Sequence, residues 1–137
     1  MSSLHILQPP NWPRPSGYSN GIVAQGRQVF IAGQIGWDDR HKFRSTRLAD
    51  QVQQTLENIV AVLAEANGKP EHIVRLSWYV TSREEYLREL KEIGAAYRAV
   101  MGRHYPAMTC VQVVALIEAE AKVEIEATAV VPDVASP

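Results

Sequence analysis

A chain of 137 residues, 46% apolar and 21% charged, is sized and composed for one folded domain around a single core, with disorder confined to its ends. Its net charge of -1 excludes the electrostatic footprint of a nucleic-acid or anionic-membrane binder. One cysteine excludes an internal disulfide, and without a CxxC or a histidine-rich cluster neither a metal nor another cofactor is expected.

The start of the chain lacks the positive flank and long apolar stretch of a signal peptide, and no apolar run approaches the length of a bilayer span. A cytoplasmic protein with no membrane contact is expected. Pro9, Pro10, Pro13 and Pro15 keep residues 1–15 extended, and Gly17 allows a turn before Tyr18. Ile22-Val23-Ala24 and Val29-Phe30-Ile31-Ala32 are short apolar runs around Gly26, a pattern that predicts a hairpin. Gly33 and Gly36 then allow the chain to leave the sheet along a path that residues with a Cβ resist.

From about Arg47 to Ala66 the period becomes helical. Leu48, Val52, Leu56, Ile59, Val60 and Leu63 form one apolar stripe, and Asn67-Gly68 followed by Pro70 ends it. Ile73 to Val80 reads as a strand. Ser82 and Glu85 form a capping box for a second helix running to about Met101, where Gly102 releases the chain. Two strands close the sequence. Tyr105 to Leu116 is β-branched from Thr109 to Val114, while Lys122 to Val131 alternates strictly, with Val123, Ile125, Ala127 and Ala129 on one side and Lys122, Glu124, Glu126 and Thr128 on the other. Read as neighbours, these strands place Met108, Cys110 and Glu124 within reach of one another. Residues 132–137 form a short tail. No repeat or linker divides residues 1–137, so one domain is expected.

The order ββαβαββ implies an α+β fold, a mixed sheet with two helices on one face. The other face is then solvated or covered by another copy of the chain. Trp37, Trp78 and the apolar alternation of several strands favour an oligomer.

Ser16-Gly17-Tyr18-Ser19, Phe30-Ile31-Ala32-Gly33-Gln34-Ile35, the helix with Leu56-Glu57-Asn58-Ile59, Cys110-Val111-Gln112-Val113 and Glu124-Ile125-Glu126-Ala127 together resemble the Rid family (reactive intermediate/imine deaminases, YjgF-like). The likeness runs over roughly residues 16–131 in matching order. It implies the chorismate-mutase-like fold and a homotrimer with clefts between subunits. It also implies cofactor-independent, water-mediated hydrolysis of reactive enamines and imines to a carbonyl compound and ammonia, a role in metabolite damage control. By the same resemblance Glu124 is the catalytic carboxylate that orients the attacking water. Tyr18, Gly33, Gln34, Met108, Thr109 and Cys110 then form the small-molecule cleft.

The resemblance breaks at one position. The family's deaminases carry Pro-Ala-Arg-Ser-Cys where this chain has Pro106-Ala107-Met108-Thr109-Cys110. That arginine grips the substrate carboxylate through two parallel charge-assisted bonds, and losing such a contact costs on the order of 3 kcal/mol or more. Met108 then either fits a less polar, differently anchored ligand or packs in a relative that has lost turnover and only binds. Arg14, Arg75 and Arg103 are the candidate replacement cations. Each family position has a plainer alternative. Glu124 is a solvated strand glutamate, Tyr18 a half-buried strand aromatic, Cys110 a small buried residue rather than a nucleophile, and Trp37 and Trp78 are packing residues. A ribonuclease reading, also attached to this family, finds no basic stripe and no paired catalytic histidines among His5, His41, His72 and His104.

Overall fold

The alternation over Val123–Val131 makes a central strand. In the computed structural model, which describes residues 4–133, this strand is flanked on both sides. Residues 1–3 of the expected extended opening and 134–137 of the tail lie outside that description. The elements are β1 (Leu4–Leu7), β2 (Gly21–Ala24), β3 (Arg27–Ile35), α1 (Leu48–Ala64), β4 (Ile73–Val80), α2 (Arg83–Arg88), α3 (Leu90–Met101), β5 (Ala107–Gln112) and β6 (Val123–Val131). The main sheet has the order β3-β6-β4-β5. Its pairings are antiparallel except between β4 and β5, which run parallel. This is the expected α+β arrangement, a mixed sheet with helices packed against it.

Helix α1 follows its apolar stripe: Leu48, Val52, Leu56, Ile59 and Leu63 are buried against Leu76, Ile125, Ala127 and Ala129. Burying a side chain of this size contributes about 1.5–3 kcal/mol, so the stripe fixes which face of the sheet is covered. Asn67 takes φ +59 and the Gly68 N–H bonds the Leu63 carbonyl, which terminates the helical run. Gln51, also buried, donates to the carbonyls of Ser45 and Glu120 and accepts from the Lys122 N–H, tying both loops at this end of the sheet to α1.

Four expectations need correction. The predicted hairpin does not form. β2 pairs with β1, and β3 takes β6 instead, from Arg27 opposite Val131 to Ile35 opposite Glu124. A nine-residue strand on a buried partner outcompetes a local turn, and Gly26 (φ +148) serves a close approach to the Val131 carbonyl. The two closing strands are not neighbours either, because β4 lies between them. The α2–α3 crossover delivers β5 parallel to β4.

The second helix is interrupted at Glu89 (φ -102, ψ 17). The break lets the Glu89 carboxylate accept the Ala49 N–H, placing a negative charge at the N-terminus of α1. Ser82 caps α2 by accepting the Glu85 N–H. Cys110, finally, is exposed in the single chain, because β5 is an edge strand. No helix among the described residues is long and apolar enough to cross a membrane.

Candidate functional site

Side-chain parity divides the expected site residues between the two faces of the sheet. On β4, Leu76, Trp78 and Val80 point into the helix-covered core, so Arg75, Ser77 and Tyr79 point the other way. Met108 sits opposite Leu76 and Cys110 opposite Trp78, which puts both on the helix side. Glu124 sits opposite Tyr79 and Thr109 opposite Ser77, which puts both on the open side. Within one chain, Met108 and Cys110 therefore cannot share a pocket with Glu124, and the expectation that the three lie within mutual reach is corrected.

On the helix side, Tyr18, Met108 and Cys110 line a cavity of about 620 Å³ between α3 and the β5 edge, within the size range of small-molecule sites. Its other walls come from Tyr86 and Tyr97, which the sequence places on the apolar side of the second helix, and from Trp78 and Tyr105, which it places on strands. Trp78, Tyr97 and Tyr105 form a row, with Trp78–Tyr97 centroids 6.4 Å apart and Tyr97–Tyr105 5.3 Å apart, and Tyr86 stands edge-on to Trp78 at 6.5 Å. Such pairs are worth about 0.5–1.5 kcal/mol each beyond burial, so the row is a rigid wall. Tyr97 is pinned by donating to the His104 carbonyl. The segment carrying Tyr18 is held by the Ser19 hydroxyl and N–H, which donate to the carbonyls of Tyr105 and Pro106. Gly17 at φ +80 makes the turn before it.

The phenols here behave as buried groups. Burial, with the neighbouring Cys110, pushes the Tyr86 hydroxyl up to about 12, and burial raises Tyr97 well above its ordinary value. Cys110 is exposed as a residue, yet the protein around its thiol still desolvates it and raises its pKa, opposed by the hydrogen bond with Tyr86, so the residue is not a poised nucleophile. Among the described residues the Trp78 indole N–H is buried without a hydrogen-bond partner, an unsatisfied donor of the core and not one presented to a ligand.

Arg98, from α3, lines the same cavity and is its one formally charged residue among those described. None of the cations favoured by the sequence does so. Arg75 lies on the open face beside Phe30 and Glu126, and neither Arg14 nor Arg103 reaches the cavity. The missed signal was helical spacing. Arg98 falls four residues after Gly94, whose absent side chain leaves room for the guanidinium (a Cβ there would sit 3.2 Å from Nη1).

On the open side, the half-buried Glu124 carboxylate lies over Gly33, and a Cβ at Gly33 would fall 2.2 Å from Oε2. Gln34 bonds back to the Ala32 carbonyl through its side chain. Tyr79 donates to Glu126 at 2.6 Å, which raises its own pKa. Phe30 is 73% exposed on this face and Val111 is exposed as well. Trp37 stands apart, stacked on His41. A larger depression of about 840 Å³, over the loops holding Phe43 and Leu116, takes in none of the expected site residues. No group of three or more metal-ligating side chains occurs among the described residues.

The model of a family described as Endoribonuclease L-PSP matches residues 12–131. The chain is 30% identical over 128 residues to the RutC family protein UK114 of Drosophila melanogaster, covering 90% of this chain and 87% of that one. It is 32% identical over 111 residues to the 2-iminobutanoate/2-iminopropanoate deaminase of Salmonella typhimurium, covering 79% and 83% of the two chains. Among solved structures, it superposes with a TM-score of 0.81 and 32% identity on YyfB of Yersinia pestis, a protein of unknown function of the conserved Rid family, covering 94% and 99%.

Proposed function

This chain belongs to the Rid (YjgF-like, RutC/UK114) family, and from that membership we propose that it hydrolyses a reactive enamine or imine to a carbonyl compound and ammonia. The site is shared between copies of a homotrimer. Residues 1–137 act as one domain, with the cleft facing a neighbouring subunit.

The observation that carries the reading is the split site. Tyr18, Met108 and Cys110 line a cavity on one side of the sheet, while Glu124 and Gly33 meet on the other. A carboxylate that polarises water is useful only next to the bound C=N carbon, and a single chain holds the two halves apart. An assembly that lays one copy's open face against the next copy's cavity joins them, and exposed Phe30 and Val111 give the open face apolar surface to bury.

The chemistry asks little beyond this. Water adds to the imine carbon as Glu124 accepts one of its protons and passes it to the imine nitrogen. The C–N bond then breaks as the same carboxylate moves the remaining hydroxyl proton to that nitrogen, which departs as ammonia and leaves the carbonyl. The thiol of Cys110 takes no part. Met108 stands where the family's deaminases carry arginine, so the substrate differs from a small 2-imino acid held at that position. Separate placement of the histidines speaks against the ribonuclease reading: His41 stacks on Trp37, His72 accepts the Lys69 N–H, and His104 Nε2 meets the Ile73 carbonyl.

Ammonia release from freshly generated imines of several amino acids, compared between the wild type and Glu124→Gln, tests the proposal. Acceleration that falls by about 10²-fold or more in the variant is expected. No acceleration over buffer with any imine would leave a binding protein that has lost turnover.

A further inference from the structure

An unpaired cation and a row of aromatic faces border the same cavity, and the hydrolase reading alone does not explain either. Arg98 is exposed, makes no ion pair or side-chain hydrogen bond among the described residues, and of the unpaired arginines is the one that lines this cavity. Tyr18, Met108 and the Trp78–Tyr97–Tyr105 row line the same cavity. Arg98 and the vacant space at Gly94 belong to one turn of α3, so the guanidinium folds along the cavity rim and not away from it.

Resting on the imine-hydrolase reading, we propose that Arg98 is the carboxylate anchor of this site and that its substrates are 2-imino acids with aromatic or comparably bulky side chains. The anchor has moved from strand β5 to helix α3. With Met108 on the strand, a substrate carboxylate finds no charge there and turns to the guanidinium, whose planar fork suits it. The side chain then lies against Met108 and the ring faces. The part of the site that one chain supplies is about 620 Å³ with mostly apolar and aromatic walls, a lining that suits an aromatic side chain better than a methyl group. An aromatic ring stacks on the row and gains from the polarisable thioether of Met108.

The reaction balances without a co-reactant. Water oxygen bonds to C2 as the C=N bond opens, the C2–N bond breaks, ammonia leaves with the two water protons added to the imine N–H, and a 2-oxo acid remains. Nothing is oxidised or reduced.

Two measurements separate this inference from the reading beneath it. The first uses imines generated in situ from phenylalanine and from alanine by an amino-acid oxidase, with kcat and KM measured for wild type, Arg98→Gln and Arg98→Lys. The phenylalanine imine is expected to be preferred at least tenfold in kcat/KM. Arg98→Gln should lose about tenfold through KM, an anchor at an open rim being partly screened, and Arg98→Lys should recover part of that. The second titrates 3-phenylpropanoate, an unreactive carboxylate, by calorimetry into wild type, Arg98→Gln and Glu124→Gln. Binding weakened about tenfold by Arg98→Gln and retained by Glu124→Gln upholds the anchor even if no imine is hydrolysed. Hydrolysis that favours the alanine imine and is indifferent to Arg98→Gln overturns the inference while leaving the hydrolase reading standing. Equal affinity of 3-phenylpropanoate for wild type and Arg98→Gln overturns it as well.

Discussion

Glu124 and Gly33 fit one another so closely that any side chain at Gly33 would enter the carboxylate: its Cβ would lie 2.2 Å from Oε2 and 2.9 Å from Cδ of Glu124. The strand bulge between Ile31 and Gln34 brings the glycine there, across from β6. A glycine here leaves open the space that the carboxylate occupies on the open face of the sheet.

Gly33→Ala is therefore expected to cost activity far more than stability. The obstructed atoms are the far end of a flexible side chain, so the carboxylate swings aside cheaply and leaves its catalytic position. Imine hydrolysis should fall about tenfold or more while Tm moves by only a few degrees (roughly 3 °C), as followed by steady-state kinetics and thermal unfolding. A folded, fully active Gly33→Ala would detach Glu124 from catalysis.

Met108→Arg should restore an anchor on β5. Met108 is half-buried and borders the cavity, which has room for the longer side chain. The variant is expected to gain about tenfold or more in kcat/KM on the imine of alanine and to lose on that of phenylalanine, whose ring space the arginine occupies. Unchanged selectivity would mean that position 108 does not touch the substrate.

The Cys110 thiol reports on the cavity without taking part in the chemistry. Burial raises its pKa and Tyr86 opposes that rise, so alkylation by iodoacetamide near pH 8 should be slow and Tyr86→Phe should slow it further. Adding 3-phenylpropanoate should protect the thiol. Mass spectrometry of the modified chain gives the rates, and faster alkylation in Tyr86→Phe would contradict the placement.

Asp38 supplies a test of the loop before α1. The N–H groups of Arg40 and Lys42, together with the Arg44 guanidinium, hold its carboxyl down at about 2. A depressed folded-state pKa contributes stability above the unfolded value near 3.8, and that contribution is lost as pH falls toward about 2. Wild type should accordingly melt above Asp38→Asn at pH 7, with the gap narrowing below about pH 4 and closing near pH 2. A gap independent of pH would assign the difference to something other than this carboxylate.

Local signals made some of this molecule legible in advance. The stripe on α1, the Ser82 N-cap and the alternation of β6 are each set by residues within a turn or two and stand as read. Two details differ: Val60 is only half-buried, and the expected capping box is half-made, the Glu85 carboxylate pairing with Lys122 instead. Long-range partners hid the rest. Nothing near Glu89 announces that its carboxylate meets the Ala49 N–H forty residues earlier, at the break that separates the cavity residues Tyr86 and Arg98 onto two helices. Likewise the order β6-β4-β5 is fixed by a parallel pairing that no residue of β5 declares, and that order places Met108 and Glu124 on opposite faces. Tyr97 and Trp78 read as packing residues and are buried as such, but one edge of each also forms the cavity wall.

Mixing two crippled chains tests the shared site most directly. Glu124→Gln leaves the cavity intact, and Cys110→Trp blocks the cavity from an exposed edge strand while leaving Glu124 in place. Each alone should be inactive. Unfolded together at equal amounts and refolded, they should recover about a quarter of wild-type hydrolysis, because each cleft draws its two halves independently from two pools of subunits. Recovery near that level places the halves on different copies of the chain. A mixture as inactive as its components, although both variants form oligomers of wild-type size, would contradict a site built between subunits.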